Sequence, residues 1–414
     1  MRINQAESIL RNHTEATNIL VGKMYDINVD LIICDDFSTY RAIEFFRKMK
    51  GTRPVNRDKI LVTCEHFSPP TTLDGAEIQN SIRKKIKEWK IGGFHELGRS
   101  GIGPIVAVSN SLIKPGMLIV GTDPIIGALG GLGCLAIALG AGDIAALWRT
   151  GKIHLMLGET LEVVLEGKKQ PEIDIVDIAL AVIKQLDGSQ ENKIIEFAGN
   201  TACDLNIDDR LEISCFLVES GATSAIIPPS NKLLSMLKLP FDNNLDTKPD
   251  LPTLTDYSIQ IDNLKPMISL PSGKIIPVDE IEETKIDLVI IGGGLGGTLQ
   301  NLNELDSTIA GNKLHPDVRM LVYPASTDIF ISAVKTGIIE RLATAGAVIC
   351  APGRGPEGYG NHGICSKGEN VLINGSLNNE GLYGHMMANI HLAGTKVCAS
   401  TALTRKIVQQ PEVL

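Results

Sequence analysis

The sequence predicts an α/β protein whose sheets are mostly parallel. Short apolar runs alternate with amphipathic helical segments along the chain, and a polar or glycine-dense turn follows most of the apolar runs directly. Buried parallel strands bring side chains and backbone to a site at their carboxyl ends in this way. We therefore expect the functional residues at strand ends, around a cleft.

The first third of the chain repeats this alternation three times. An amphipathic helix and a turn at Gly22 lead to a strand at 29–34, and a second strand follows at 59–64. These strands end in the polar sequences DDFS and EHFSPP. The third repeat predicts a charged helix through Trp89 and strands at 104–108 and 117–120.

The middle third predicts strands at 161–167 and 194–199, helices at 175–186 and near 211–219, and a short strand AIIPP. Residues 240–283 are rich in Asp, Asn, Pro and Thr, which is typical of a linker or an extended crossing segment. We therefore predict α/β domains at 1–124, 125–240 and 284–414, with 241–283 as the segment between the last two.

The last third contains two glycine-dense turns, at 292–297 and 351–363, and each follows an apolar run. The first, GGGLGG, fits the G-x-G-x-x-G pattern of dinucleotide sites with Gly292, Gly294 and Gly297. That fingerprint also needs an acidic residue at the end of the next strand, and MLVYP ends without one. Dinucleotide binding is therefore the weakest of the functions considered.

Composition excludes several classes of function. A net charge of -9 with a pI near 5.5 and 4% aromatic residues disfavours nucleic-acid binding. The glycine-rich stretch 125–142 has no charge, but aspartates bracket it and no aromatic belt flanks it, so we predict a buried helix and no membrane span. The polar amino terminus and eight dispersed cysteines indicate a cytoplasmic protein with buried thiols.

The chain resembles the large subunit of isopropylmalate dehydratase, in the aconitase superfamily, over nearly its whole length. The residues that carry the resemblance include VDLIICDD, CEHFSPP, KPGMLIVGTD, ETLEVVLEGK and HPDVRMLVYPAS. The resemblance implies three layered α/β domains around a central cleft. It also implies a swivelling fourth domain, which is a separate small subunit in this family and which we expect to be missing from this chain.

Members of that family use three cysteines to hold a four-iron four-sulfur cluster whose open iron binds the substrate hydroxyl. The resemblance places these ligands at Gly294, Arg354 and Glu357. We therefore expect no cluster and no other cofactor, although a divalent metal stays open. The family's carboxylate-binding arginines fall on Leu377, Leu382 and Thr298, so its own substrates are not expected here.

Other features of the family survive, and from them we predict a site. The acid–histidine pair is present as Glu65–His66, and Asp36, Asp123, Glu196 and Glu219 lie at positions that match family acids. We predict that His66, Glu65 and Glu357 are catalytic and that no residue binds a metal. The predicted substrate-binding residues are Arg354, Asp36, Ser38, Asp123, Gly293, Gly294, Asn361 and Ser376.

The sequence leaves the function open between two hypotheses. The first is a hydro-lyase or isomerase of a small carboxylate, in which His66 transfers a proton, Glu357 assists the leaving group and Arg354 stabilises the carboxylate. The second is a non-catalytic paralogue that binds a ligand or a protein partner, with Arg354 and Glu357 as a structural ion pair. A metal site of His66, Glu357 and His362 has no support from ligand spacing.

Overall fold

The structure is a computed structural model that describes residues 4–16, 18–242, 256–358 and 362–409. The strands are β1 Met24–Ile27, β2 Leu31–Asp35, β3 Ile60–Thr63, β4 Gly93–His95, β5 Leu118–Gly121, β6 Leu135–Ala138, β7 Ile153–Met156, β8 Thr160–Glu166, β9 Ile194–Ala198, β10 Ser224–Ile226, β11 Tyr257–Gln260, β12 Met267–Ser269, β13 Ile275–Pro277, β14 Leu288–Ile291, β15 Arg319–Val322, β16 Val348–Ile349, β17 Asn370–Ile373 and β18 Asn389–Ala393. The helices are α1 Gln5–Asn12, α2 Asp36–Lys48, α3 Leu73–Trp89, α4 Gly103–Ser109, α5 Ala141–Thr150, α6 Ile175–Leu186, α7 Asn200–Asp204, α8 Ile207–Glu219, α9 Asn231–Met236, α10 Leu299–Ile309, α11 Thr327–Lys335, α12 Ile338–Ala345 and α13 Thr395–Thr404.

The first sheet has the order β4-β3-β2-β5-β6, and all its neighbouring strands run parallel. Its central strands are buried along their whole length, as continuous apolar runs predict. Helices cover both faces. On one of them Phe46, Trp89 and Trp148 pack edge to face with ring centroids 5.4 to 6.0 Å apart. This packing fixes the sheet from which β2 and β3 deliver the acid and histidine residues.

The second sheet, β10-β9-β8-β11, is also parallel. The third has the order β13-β12-β18-β17-β14-β15-β16, in which β14 to β18 pair in parallel and β12 is antiparallel to both its neighbours. Both sheets are covered by helices with buried apolar faces, α6 and α8 on the second and α10 and α13 on the third. The predicted α/β fold with mostly parallel sheets is confirmed.

Two local predictions are wrong. Residues 104–108, predicted as a strand, lie in α4, where Pro104 occupies the first turn, a position that proline favours. The stretch 125–142, predicted as one buried helix, is a 3-10 helix at Pro124–Leu132, then β6, then the start of α5. A side chain at Gly130 would lie 2.1 Å from the carbonyl oxygen of Ala225. The glycines of the 3-10 helix therefore allow its backbone to pack directly against β10 and α8.

The predicted crossing segment at 241–283 is partly ordered into strands. Residues 243–255 lie outside the described part, but β11 joins the second sheet while β12 and β13 join the third. The segment therefore crosses between two sheets. The first sheet extends to β6, beyond the predicted boundary at 124, and the division into domains stays a prediction.

Among the described residues, no helix has both the length and the apolar composition needed to cross a membrane.

Candidate active site

Asp36 organises the first half of the site. It follows β2 directly and is fully buried at the start of α2. Its Oδ1 accepts hydrogen bonds from the backbone N–H of His66 at 2.9 Å and of Glu65 at 3.3 Å. Its Oδ2 accepts from the N–H of Phe67 at 3.1 Å and from the amide of Gln79 at 2.9 Å. Because β2 and β3 are parallel neighbours, the turn after β3 closes on the turn after β2.

His66 lies between two carboxylates. Its Nδ1 is 3.5 Å from Asp35 Oδ1 and 3.7 Å from Asp36 Oδ1, and the side chain is 8% exposed. Burial lowers the pKa of the imidazole, but the neighbouring Asp36 and Asp35 outweigh it and raise the pKa of His66 to about 9. At neutral pH the ring is therefore an imidazolium that can donate a proton.

Glu65 turns towards the sheet. Its Oε2 accepts hydrogen bonds from the hydroxyl of Thr63 at 2.8 Å and from the N–H of Gly103 at 2.7 Å. Burial raises the pKa of Glu65 to about 7, against the lowering effect of the charges on Arg354 and His66. Its carboxyl therefore exchanges protons near neutral pH.

Arg354 joins its own glycine-rich turn to the turns that follow β3 and β5. Its backbone N–H donates to the carbonyl oxygen of Glu65 at 2.9 Å. Its Nη2 donates to Asp123 at 3.2 and 3.3 Å and to Glu357 at 3.1 Å. Its Nε and Nη1 are buried and have no hydrogen-bond acceptor among the described residues.

The two acids beside Arg354 have opposite pKa shifts. Burial raises the pKa of Glu357 to about 8, although Arg354 acts against it. For Asp123 burial acts in the same direction, but the charges of Arg354 and His66 outweigh it and lower the pKa. The pair therefore offers one protonated and one ionised carboxyl at neutral pH, which is an arrangement suited to acid–base work.

The glycine turn after β14 packs against the protein's own backbone. A side chain at Gly294 would lie 2.1 Å from the carbonyl oxygen of Gly375 and 2.2 Å from Ser376 Oγ, and one at Gly297 would lie 2.1 Å from the carbonyl oxygen of Tyr323. Gly293 has a φ of +92° and lies beside the carbonyl oxygen of Arg354. Close packing between neighbouring turns therefore accounts for the glycines without a bound pyrophosphate.

The structure brings most of the predicted residues together. His66, Glu65, Glu357, Arg354, Asp36 and Asp123 form one cluster, with Gly293, Gly294 and Ser376 along its edge. Ser38 instead donates its N–H to Asp35 as part of the α2 cap, and Asn361 lies outside the described residues. Glu196 accepts from the N–H groups of Gln5 and Ala6 at the start of α1. The catalytic and binding roles stay predictions.

Sequence reasoning missed three residues of the site. Gln79 holds Asp36 and the carbonyl oxygen of Phe67, and it lies in the buried face of α3 at helical spacing with Ile82 and Ile86. A glutamine in such an apolar face is a signal that the sequence contains. Asp35 stands at the end of β2, where the sequence pattern predicts polar residues of the site, whereas no sequence pattern marks Tyr383, which is buried near Glu357.

The structure describes all eight cysteines, and none is in a disulfide. Among the described residues, the one group of three or more His, Cys, Asp or Glu side chains whose ligand atoms converge is Asp35, Asp36 and His66. No three thiols converge in this arrangement, so the structure does not identify which cysteines would hold a cluster.

Curated relatives match the chain from end to end. A 3-isopropylmalate dehydratase large subunit from Clostridium kluyveri is 29% identical over 100% of both chains. The 3-isopropylmalate dehydratase large subunit 2 of Rubrobacter xylanophilus is 31% identical over 99% of this chain and 97% of its own. A large subunit of the same name from Caldanaerobacter subterraneus is 31% identical over 95% of each.

The model of the aconitase family, described as aconitate hydratase, matches residues 7–272 and 269–404. This match corrects the prediction that the chain has no cofactor. The family works with a four-iron four-sulfur cluster, and eight cysteines are available in this chain, so the predicted absence is wrong. With the family model and the full-length relatives in agreement, the chain belongs to the aconitase family.

Proposed function

We propose that this chain is the large subunit of a hydro-lyase or isomerase that acts on a small carboxylate. The observation that carries the proposal is the single buried cluster of Glu65, His66, Arg354 and Glu357. Burial and neighbouring charges move three of their pKa values to about 7, 8 and 9, around neutral pH. Perturbed groups that converge in this way are typical of catalytic sites.

The roles follow from protonation. Arg354 binds the substrate carboxylate and stabilises the negative charge that develops on it when a proton leaves the adjacent carbon. Glu65, with a pKa of about 7, serves as the base that removes this proton. His66 and Glu357, which are protonated at neutral pH, donate a proton to the leaving hydroxyl. This assignment moves proton abstraction from His66, where the sequence placed it, to Glu65.

We also propose a small subunit as partner, because the relatives are named large subunits. The site is then completed by residues that this chain does not contain. Native mass spectrometry of the protein purified from its own host tests this part. A co-purifying smaller chain supports it, and a homogeneous single chain with full activity contradicts it. Cytoplasmic location stays a prediction.

Exchange of substrate hydrogen with deuterium in heavy water tests the chemistry. A base that removes a carbon-bound proton allows deuterium to enter the substrate at that carbon even when no net product forms. Candidate 2-hydroxy acids are followed by proton NMR with the purified protein. We expect exchange with the wild type and less than about one hundredth of its rate with Glu65→Gln, the usual size of a general-base contribution. The control is Glu340→Gln on α12, an exposed position that should leave exchange unchanged.

A non-catalytic binding protein is the second candidate. The observation that favours it is the ion pairing of Arg354 with both Asp123 and Glu357, which pairs these buried charges without a ligand. Ligand binding without exchange or turnover, in the presence of the partner subunit, would support this candidate over the first.

A further inference from the structure

Asp35, Asp36 and His66 place three metal-ligating atoms around one point. Nδ1 of His66 lies 3.5 Å from Asp35 Oδ1 and 3.7 Å from Asp36 Oδ1, and the ligand atoms of all three side chains lie within 4.8 Å of one another. Two ligands of one tetrahedral zinc ion are about 3.3 to 3.6 Å apart, because each bond is about 2.0 to 2.2 Å long. The three atoms therefore have close to the spacing that one small cation requires.

Nδ1 of His66 is the atom that points to a ligand. It is buried without a hydrogen-bond partner among the described residues, and the side chain is 8% exposed. Its distances to the two carboxylates exceed the usual length of an N–H···O hydrogen bond, about 2.7 to 3.2 Å. A proton on Nδ1 thus reaches neither carboxylate at hydrogen-bonding distance, whereas an ion between the three atoms would bond to all of them at once.

Outer hydrogen bonds orient both carboxylates. Asp35 Oδ1 accepts from the N–H of Ser38 at 2.7 Å, and its Oδ2 accepts from the hydroxyl of Thr122 at 2.6 Å. Asp36 Oδ1 accepts from two backbone N–H groups, and an ion would take the place of the longer of these bonds, 3.3 Å from Glu65. Partners of this kind hold the ligands of metal sites in position.

The donor set indicates the class of ion. One imidazole with two carboxylates suits a divalent first-row transition metal such as Mn²⁺, Fe²⁺ or Zn²⁺. A proton on His66 balances one of the two carboxylate charges beside it, and a divalent ion balances both. Three protein ligands leave coordination positions open, which water, a substrate oxygen or a residue of another chain can fill. The ion therefore needs no particular residue elsewhere in the cleft.

We propose that Asp35, Asp36 and His66 bind one divalent transition-metal ion. The site stands on its own geometry and goes beyond the proposed function, to which the ion would add the polarisation of a substrate oxygen. The sequence analysis assigns Asp36 to substrate binding, His66 to proton transfer and no residue to a metal, and this proposal replaces that expectation. With an ion bound, Nδ1 of His66 carries no proton, so proton donation to the leaving hydroxyl falls to Glu357.

Mn²⁺ is the probe, because it prefers carboxylate oxygen to the thiols that this chain also contains. The protein, in the complex in which it purifies, is freed of divalent metal with a chelator, and electron paramagnetic resonance counts the Mn²⁺ that it then takes up. We expect one ion per chain, with its electron spin coupled to an imidazole nitrogen in pulsed measurements. A wild type that binds no Mn²⁺, or whose bound ion shows no imidazole nitrogen, overturns the proposal.

Two variants locate the ion. Asp35→Asn keeps a side-chain oxygen that can cap α2, and it should weaken Mn²⁺ binding at least about tenfold, the lower end of what even an outer partner of a metal ligand contributes. His66→Gln should remove the nitrogen coupling. His154→Gln is the matched control, because His154 pairs with Asp26 at 2.6 Å where both side chains are exposed, and it should change neither readout.

Mn²⁺ binding by Asp35→Asn with the affinity of the wild type, or a nitrogen coupling that persists in His66→Gln, also overturns the proposal. The measurements on the wild type stand even if a variant does not fold. Ion binding without exchange of substrate hydrogen would refute the proposed function alone, and exchange by a protein that takes up no divalent ion would refute this inference alone.

Discussion

Replacing Asp36 by asparagine tests whether this one carboxylate holds the site together. Asp36 accepts four hydrogen bonds, two at each oxygen, and is fully buried. An asparagine has one acceptor oxygen, so two buried N–H donors lose their acceptor. At about 1 to 3 kcal/mol for each unsatisfied donor, the free energy of unfolding should fall by about 2 to 6 kcal/mol.

The same substitution should lower the pKa of His66 from about 9 towards its usual 6.5, because it removes one of the neighbouring carboxylates. A raised histidine pKa contributes stability that is present below 6.5 and is lost as pH rises through about 9. The destabilisation should therefore be larger at about pH 6 than at about pH 10. Urea unfolding at both pH values measures the free energies, and NMR titration of the ring follows the pKa of His66.

Asp26→Asn is the matched control. Asp26 also pairs with a histidine, His154, at 2.6 Å, but both side chains are exposed and the pair should contribute less than about 1 kcal/mol. If Asp36→Asn destabilises the protein no more than Asp26→Asn does, the proposed role of Asp36 as the buried organiser of both turns is wrong.

Three further changes test other parts of the structure. Glu357→Gln should flatten the dependence of the unfolding free energy on pH. Burial raises the pKa of Glu357 from 4.5 to about 8, so this group makes the unfolding free energy of the wild type fall as pH rises across that window, by at most about 1.4 kcal/mol per pH unit. A variant that keeps the wild-type slope in chemical denaturation would refute this role. Gly294→Ala should lower the free energy of unfolding by about 2 kcal/mol or more, because its Cβ would lie 2.1 Å from a carbonyl oxygen. Gly142→Ala, in open space on α5, should be neutral or stabilising. Equal melting temperatures of the two variants would contradict the packing argument. Arg210→Lys should lower the free energy of unfolding, measured with urea, by about 2 kcal/mol or more. The buried guanidinium of Arg210 donates to four carbonyl oxygens, and an ammonium group cannot reach them all. A loss no larger than that of Arg149→Lys, an exposed change on α5, would show that these bonds contribute little.

The strand ends of the site could be predicted because they follow from local sequence. The apolar runs before Asp36 and Glu65 are continuous, and parallel neighbours place their following turns side by side. The meeting of Asp36 with His66 thus needs only adjacency of β2 and β3. The resemblance to the aconitase superfamily added the family, which the family model confirms.

The remaining features of the site depend on tertiary contacts, which no local sequence pattern predicts. The pairing of Arg354 with Asp123 joins turns from two different sheets, and the pKa values of Glu65 and Glu357 depend on how fully those turns exclude water. The apolar run after Gly103 reads equally well as a strand or a helix, and proline in its first turn was the signal for a helix. Glycine at Gly294 suits both a phosphate turn and close packing, and the tertiary structure decides between them.

Hydrogen bonds tie the turns after β3 and β4, in the first sheet, to the turns after β15 and β16, in the third. Arg354 N–H bonds to the carbonyl oxygen of Glu65, and Ser68 Oγ donates to that of Pro352. A few residues away, Ile102 N–H bonds to the carbonyl oxygen of Ala325 and Thr327 N–H to that of Ser100. Moving the first and third sheets apart would break all four bonds together. We therefore expect a substrate to reach Arg354 through rotamer changes of the side chains around it, while the first and third sheets keep their relative position.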